Sequence, residues 1–132
     1  MFDPEADLTA IWRVLSNDKP LLDLLGYTSG SKTNYIWKGD QAPQATGKRL
    51  CFYHAPSRQS HNDLCSIEVI QFDAHVPLMN AVDARNIQKR VAELIKKHEF
   101  NGHKLYFMGQ LPLPSATGYT CVATRYRYPI VV

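Results

Sequence analysis

The stretch between Leu50 and Val76 constrains this chain more than any other. It reads as a short strand, a polar turn-rich loop and then an unusually long strand. The two flanks are rich in β-branched and aromatic residues, whereas the middle carries Pro56 and no apolar side chain until Leu64. A helical pattern follows at once, from Asn80 to about His98, and two more strand patterns, near Lys104–Gly109 and Tyr119–Tyr128, close the sequence. Strands broken by one long helix predict an α+β fold. The expected architecture is a mixed, mostly antiparallel sheet with the long helix and N-terminal helices packed on it. At 132 residues, one domain spanning 1–132 can bury a real core.

The N-terminal part supplies the smaller helices. Asp3 is a good N-cap and Pro4 suits the first helical position, where its missing N–H costs nothing. Leu8, Ile11, Trp12 and Leu15 then recur at i, i+3, i+4 and i+7 and make one face apolar. Ser16, Asn17 and Asp18 break this helix. Asp18 can cap a second short turn carrying Leu21, Leu22, Leu24 and Leu25, with Gly26 as its stop. Tyr35 to Trp37 reads as a short strand. Residues 27–34, 39–47, 55–63 and 110–118 read as loops. In the long helix Ala84, Ile87, Val91, Leu94 and Ile95 form the expected buried stripe. Arg85, Lys89, Arg90, Lys96 and Lys97 are expected mostly outside, with Glu93 placed to pair with Lys97.

The long strand changes phase halfway. Cys65, Ile67 and Val69 share one face, and Ile70, Phe72, Ala74 and Val76 share the other. This pattern requires either a bulge at 69/70 or apolar neighbours on both faces in turn. A strand of this length is expected to project beyond a small domain at one end.

Composition narrows the function classes. A net charge of +3 permits contact with an acidic surface but lacks the concentrated basic face of a nucleic-acid binder. No basic and apolar opening predicts secretion, and no apolar run approaches the about 20 residues of a membrane span. The protein is therefore expected in a cytosol-like compartment until assembly. Cys51, Cys65 and Cys121 lie in strand patterns and are expected as buried, reduced thiols.

Candidate chemistry is thin. Cys51, His54, His61 and Cys65 are zinc-type ligands, but strand alternation sends Cys51 and His54 to opposite faces. The expectation is therefore no metal and no cofactor. Glu68 and Asp73 on the long strand, with Asp40 and Asp63 in loops, would have to converge to form a nuclease-type centre. Their odd spacing on the strand separates Glu68 from Asp73, and both are expected as solvated or edge-facing charges. Ser57, Ser60 and His61 share a polar loop without any nucleophile motif, and no phosphate or dinucleotide loop is present. No catalytic residue is assigned. In the last strand Arg125 and Arg127 share one face, and Tyr126 and Tyr128 share the other with Val122. This predicts a buried aromatic face and a basic face turned to solvent or a partner. Two arginines neutralise too little phosphate to favour nucleic acid.

The whole layout resembles the tail terminator (tail-completion, head–tail joining) proteins of long-tailed bacteriophages. The resemblance spans nearly the entire chain. It rests on the opening helix with Leu8, Ile11 and Leu15, L-L-D-L-L-G ending at Gly26, and the Tyr35–Trp37 strand. It continues through R-L-C-F-Y, a long polar loop, S-I-E-V-I-Q-F-D-A feeding a helix, and G-Y-T-C-V-A-T-R-Y-R-Y. It implies a non-enzymatic virion protein that forms a ring, usually sixfold. Such a ring caps the tail tube, stops its growth and docks the head–tail connector. The implied partners are other copies of the chain, the tube protein and the connector protein. No membrane is implied, and nucleic acid would at most pass through the ring. The implied location is the tail or neck of the virion, with assembly in the host cytoplasm. The alternatives are a head-completion or minor capsid protein and, from another class, a nucleic-acid-binding module. Interfaces favour arginine anchors, which makes Arg58, Arg125 and Arg127 the candidate contacts.

Overall fold

The computed structural model describes residues 4–39, 47–55, 65–77, 81–113 and 118–131. Helices α1 (Pro4–Ser16) and α2 (Lys19–Leu24) and a 3-10 turn (Lys32–Asn34) lead into β1 (Ile36–Lys38) and β2 (Arg49–Ala55). Then come β3 (Cys65–Pro77), α3 (Ala81–Lys97), β4 (Tyr106–Leu113) and β5 (Tyr119–Val131). The five strands form one sheet in the order β1-β2-β3-β5-β4. Only β1 and β2 run parallel; the other pairs are antiparallel. This is the α+β architecture expected from the sequence. The caps expected at Asp3 and Asn80 lie outside the described residues.

The helices lie on one side of the sheet because their apolar stripes match its apolar face. Ala84, Ile87, Val91, Leu94 and Ile95 of α3 are buried against Phe72, Ala74, Val76, Val122 and Tyr126. Leu8, Ile11 and Leu15 of α1 extend the same core to Ile36 and Leu50. Gln88 lies in the buried stripe without disrupting it. Its amide nitrogen donates to the carbonyls of Phe72 and Val122 at 2.7 and 2.8 Å, and its oxygen accepts from the Thr124 hydroxyl at 2.8 Å. Every hydrogen-bonding group that Gln88 brings into the core is therefore paired, as burial demands.

Asp18 joins local capping to tertiary packing. Its carboxylate accepts from the Leu21 N–H at 3.0 Å, closing the first turn of α2. It also receives Arg90 of α3 through both oxygens, at 2.7 and 2.8 Å. Arg90 is thus turned inward to α2, and Glu93 pairs with Arg90 at 2.9 Å rather than with Lys97 as the helix spacing suggested. The Arg90 hydrogen bonds, assisted by the Leu21 N–H, hold the Asp18 carboxyl below the ordinary carboxylate range despite its burial. A carboxylate whose folded pKa is depressed stabilises the fold above its unfolded value, and that contribution is lost as pH falls through the folded value. The stability gap between wild type and Asp18→Asn should therefore be full near neutral pH and shrink below about pH 4, the unfolded aspartate range. Urea denaturation across that interval checks this, and a gap constant with pH would refute it.

The phase change in β3 comes from apolar neighbours on both faces, not from a bulge. β3 pairs residue for residue with β5 from Cys65↔Val131 to Pro77↔Tyr119. Ile70, Phe72, Ala74 and Val76 enter the helix-covered core, and Val69 is buried on the opposite face. The bulge of this sheet lies instead in β4. There Phe107 pairs with Tyr126 and Gly109 with Arg125, leaving Met108 as the extra residue.

β3 and β5 are also the longest strands. β2 reaches only from His75 to Val69 along β3, and β4 reaches only to Arg127 along β5. Among the described residues, 65–68 and 128–131 pair with each other alone, so a two-stranded ribbon extends beyond the five-stranded part. The base of this ribbon stays in the core, where Tyr128 is buried and its hydroxyl donates to Asp7 at 2.8 Å.

Candidate interaction surface

The two edges of the sheet differ. At β1, three residues long, α1 covers the edge: the Trp12 indole N–H donates to the Ile36 carbonyl at 3.0 Å. Lys38 reaches back to Glu5 and Thr9 of α1, each at 3.2 Å. A covered edge is protected from strand addition.

The β4 edge is long and apolar. Tyr106, Phe107 and Met108 are each at least half exposed, and Leu111 is partly so. Phe107 rests edge-on against Tyr126, at 5.8 Å between ring centroids, so one side of its ring is anchored and the other is open. The bulge at Met108 and Pro112 within the strand both blunt continuous pairing, a common way of keeping an edge from unlimited aggregation. The sequence reading ended this strand at Gly109 and assigned 110–118 to a loop. The structure instead carries β4 through Leu113, since proline is tolerated on an edge where its missing N–H faces outward. The missed signal was alternation itself. Because β4 has apolar residues at nearly every position, it lacks the polar–apolar rhythm by which an exposed strand is recognised.

The candidate arginines separate. Arg58 lies outside the described residues. Arg127 is exposed on β5, at the register position opposite Tyr106 of β4. Arg125 is half-buried, and its Nε donates to Gln71 Oε1 at 2.7 Å. The structure thus brings Arg127 to the open edge and ties Arg125 into the sheet face.

That face, turned away from α3, is polar and yet buried. Gln71 donates to the Tyr53 hydroxyl at 2.9 Å and to Asp73 Oδ1 at 2.8 Å, and Tyr53 donates to Asp73 Oδ2 at 2.7 Å. Asp73 is only 5% exposed, so the expectation of a solvated charge is corrected. The carboxylate tolerates burial because two donors satisfy it. Glu68 pairs with Tyr128 and lies on the other face, as its odd spacing from Asp73 required. Cys51 and Cys121 are buried as expected, though Cys121 sits among polar neighbours, opposite His75. Burial first, and then the nearby Asp73 charge, push its thiol up to about 12. Burial also lowers the His75 pKa, with the Arg49 charge adding to the effect. Cys51 and His54 occupy opposite faces, as strand alternation implied, because they pair with Asp73 and Ile70 respectively. His61 and the Cys65 side chain lie outside what the structure describes. Among the described residues, no helix is long and apolar enough to cross a membrane.

The fold defined here is a small α+β unit whose sheet has one covered edge, one open edge and a two-stranded extension of β3 and β5. Two solved structures share it along nearly their whole length. One is a chain of the virion of a native gene transfer agent particle, with a TM-score of 0.66 at 12% identity, covering 97% of this chain and 96% of that one. The other is the bacteriophage SPP1 gp17 protein, with a TM-score of 0.57 at 13% identity, covering 96% and 90%. No protein-family profile matches the sequence, and no curated protein does. At these identities the likeness is one of fold.

Proposed function

We propose that this chain is a virion structural protein without enzymatic activity, and specifically a ring-forming tail terminator that caps the tail tube and joins it to the head connector. The observation that carries the proposal is the full-length likeness to a chain of a virion particle. The edges of the sheet support it. With β1 covered and β4 open, strand-to-strand addition has one face to use, and an aromatic edge is costly to leave in water. The partners are further copies of the chain, in a ring taken as sixfold, together with the tube and connector proteins. The site of action is the tail or neck of the virion, reached from the host cytoplasm during assembly.

The test is the mass of the purified chain in solution, alone and after mixing with the tube protein. A ring, or a monomer that becomes a ring only on the tube, is the expected result. Deletion of the gene should leave heads and tails unjoined, with tubes of uncontrolled length. A monomer that ignores the tube and retards DNA with a steep salt dependence would instead favour nucleic-acid binding. Normal joined virions after deletion would refute the proposal.

A further inference from the structure

The sheet face opposite α3 gathers three metal-type donors, Asp73, His75 and Cys121. Asp73 and His75 are two residues apart on β3 and share that face. Cys51 is the direct partner of Asp73 across β2, and Cys121 is the direct partner of His75 across β5. The ligand atoms of Asp73, His75 and Cys121 all lie within 4.8 Å of one another. Cys121 Sγ is 3.9 Å from His75 Nε2, a separation that an ion bonded at about 2.3 Å to sulfur and about 2.0 Å to nitrogen can bridge.

We propose that Asp73, His75 and Cys121 form a binding site for a divalent cation of the zinc class, with solvent completing the coordination. This departs from the metal-free expectation, which rested on Cys51, His54, His61 and Cys65. Alternation breaks that set, whereas pairing between β3 and β5 assembles this one.

The surroundings suit a metal. Among the described residues each Asp73 oxygen accepts one hydrogen bond, from Tyr53 or Gln71, and so keeps a lone pair for an ion. Tyr53 and Gln71 then act as positioning residues that fix the carboxylate, the role outer-sphere hydrogen bonds play at known metal centres. Arg49 of β2 is the register partner of His75, and its guanidinium lies over the Tyr119 ring, 5.2 Å from its centroid. Sulfur and imidazole donors select zinc-class ions over magnesium or calcium, which prefer all-oxygen shells. On binding, the Cys121 thiol gives its proton to solvent and the thiolate takes the metal bond.

The test uses the isolated full-length chain and so is independent of any role in the virion. The chelator-stripped protein is titrated with cobalt(II) and then with zinc(II). The expected result is a thiolate-to-cobalt charge-transfer band that saturates at one equivalent and is abolished by zinc. Zinc should also raise the melting temperature. Cys121→Ser should lose the band. Tyr53→Phe should keep the band but bind zinc about 10–100-fold more weakly. His98→Ala, an exposed histidine on the far side of α3's C-terminus, should behave as wild type. Should Cys121→Ser fail to fold, the wild-type band and the Tyr53→Phe affinity still decide the matter. A wild-type chain with neither band nor zinc-dependent melting overturns the proposal. So does zinc binding that is unchanged in both Cys121→Ser and Tyr53→Phe.

Discussion

Replacing Phe72 with alanine is expected to destabilise the domain by about 3–5 kcal/mol, a large share of the stability of a protein this size. Phe72 is fully buried at the middle of β3, the central strand of the sheet. Its ring stacks on Phe52 of β2 at 5.6 Å and meets Tyr126 of β5 edge-on at 5.4 Å. Its carbonyl also accepts the Gln88 amide. The truncation removes the ring that connects both neighbouring strands, leaving a cavity under α3 that rigid strands cannot close. Chemical denaturation measures the loss. A cost under about 1 kcal/mol would mean that the core relaxes around the gap, contrary to the packing seen here.

Placing negative charge on the open edge should have the largest effect on assembly. In the double variant Tyr106→Asp and Met108→Asp, two exposed apolar side chains of β4 become charged while the helix-covered core is untouched. Folding stability should change by only about 0.5 kcal/mol, as at most exposed sites. If this edge is where subunits or the tube attach, each lost anchor costs about 2 kcal/mol or more of binding, and repetition around a ring multiplies the loss. Rings should fail to form, and the variant should not restore joined virions to a phage lacking the gene. Arg127→Glu, opposite Tyr106, should give a milder defect of the same kind. A wild-type titre from the double variant would show that β4 is not the contact. Arg125→Glu is a poor probe of the interface, because it breaks the Gln71 hydrogen bond and disturbs the sheet face itself.

Much of the molecule is legible in the sequence because it depends on local periodicity. The stripe Ala84, Ile87, Val91, Leu94 and Ile95 has helical spacing, and it is buried as one face of α3. Asp18 and Gly26 bound α2 through capping and a left-handed backbone at Gly26, φ 78°, both properties of single residues. The length of β3 signalled that it outruns β2, because a strand longer than its neighbour must run past it.

The rest was decided by pairing between distant segments, which periodicity does not encode. Whether the phase change at 69/70 was a bulge depended on what β5 placed opposite each residue, and β5 matched it one to one. Asp73 looked like a surface charge because its donors, Tyr53 and Gln71, converge on it only when β2 and β3 are in register. The Asp73, His75 and Cys121 cluster joins residues nearly fifty positions apart, so no spacing rule could find it. The sequence by itself determined the helices, most of the strands and the apolar face of α3, because these follow from the turn and pleat of the local backbone. Only the tertiary structure decided which edge stays open and which polar side chains share a buried face, because both depend on strand order and register.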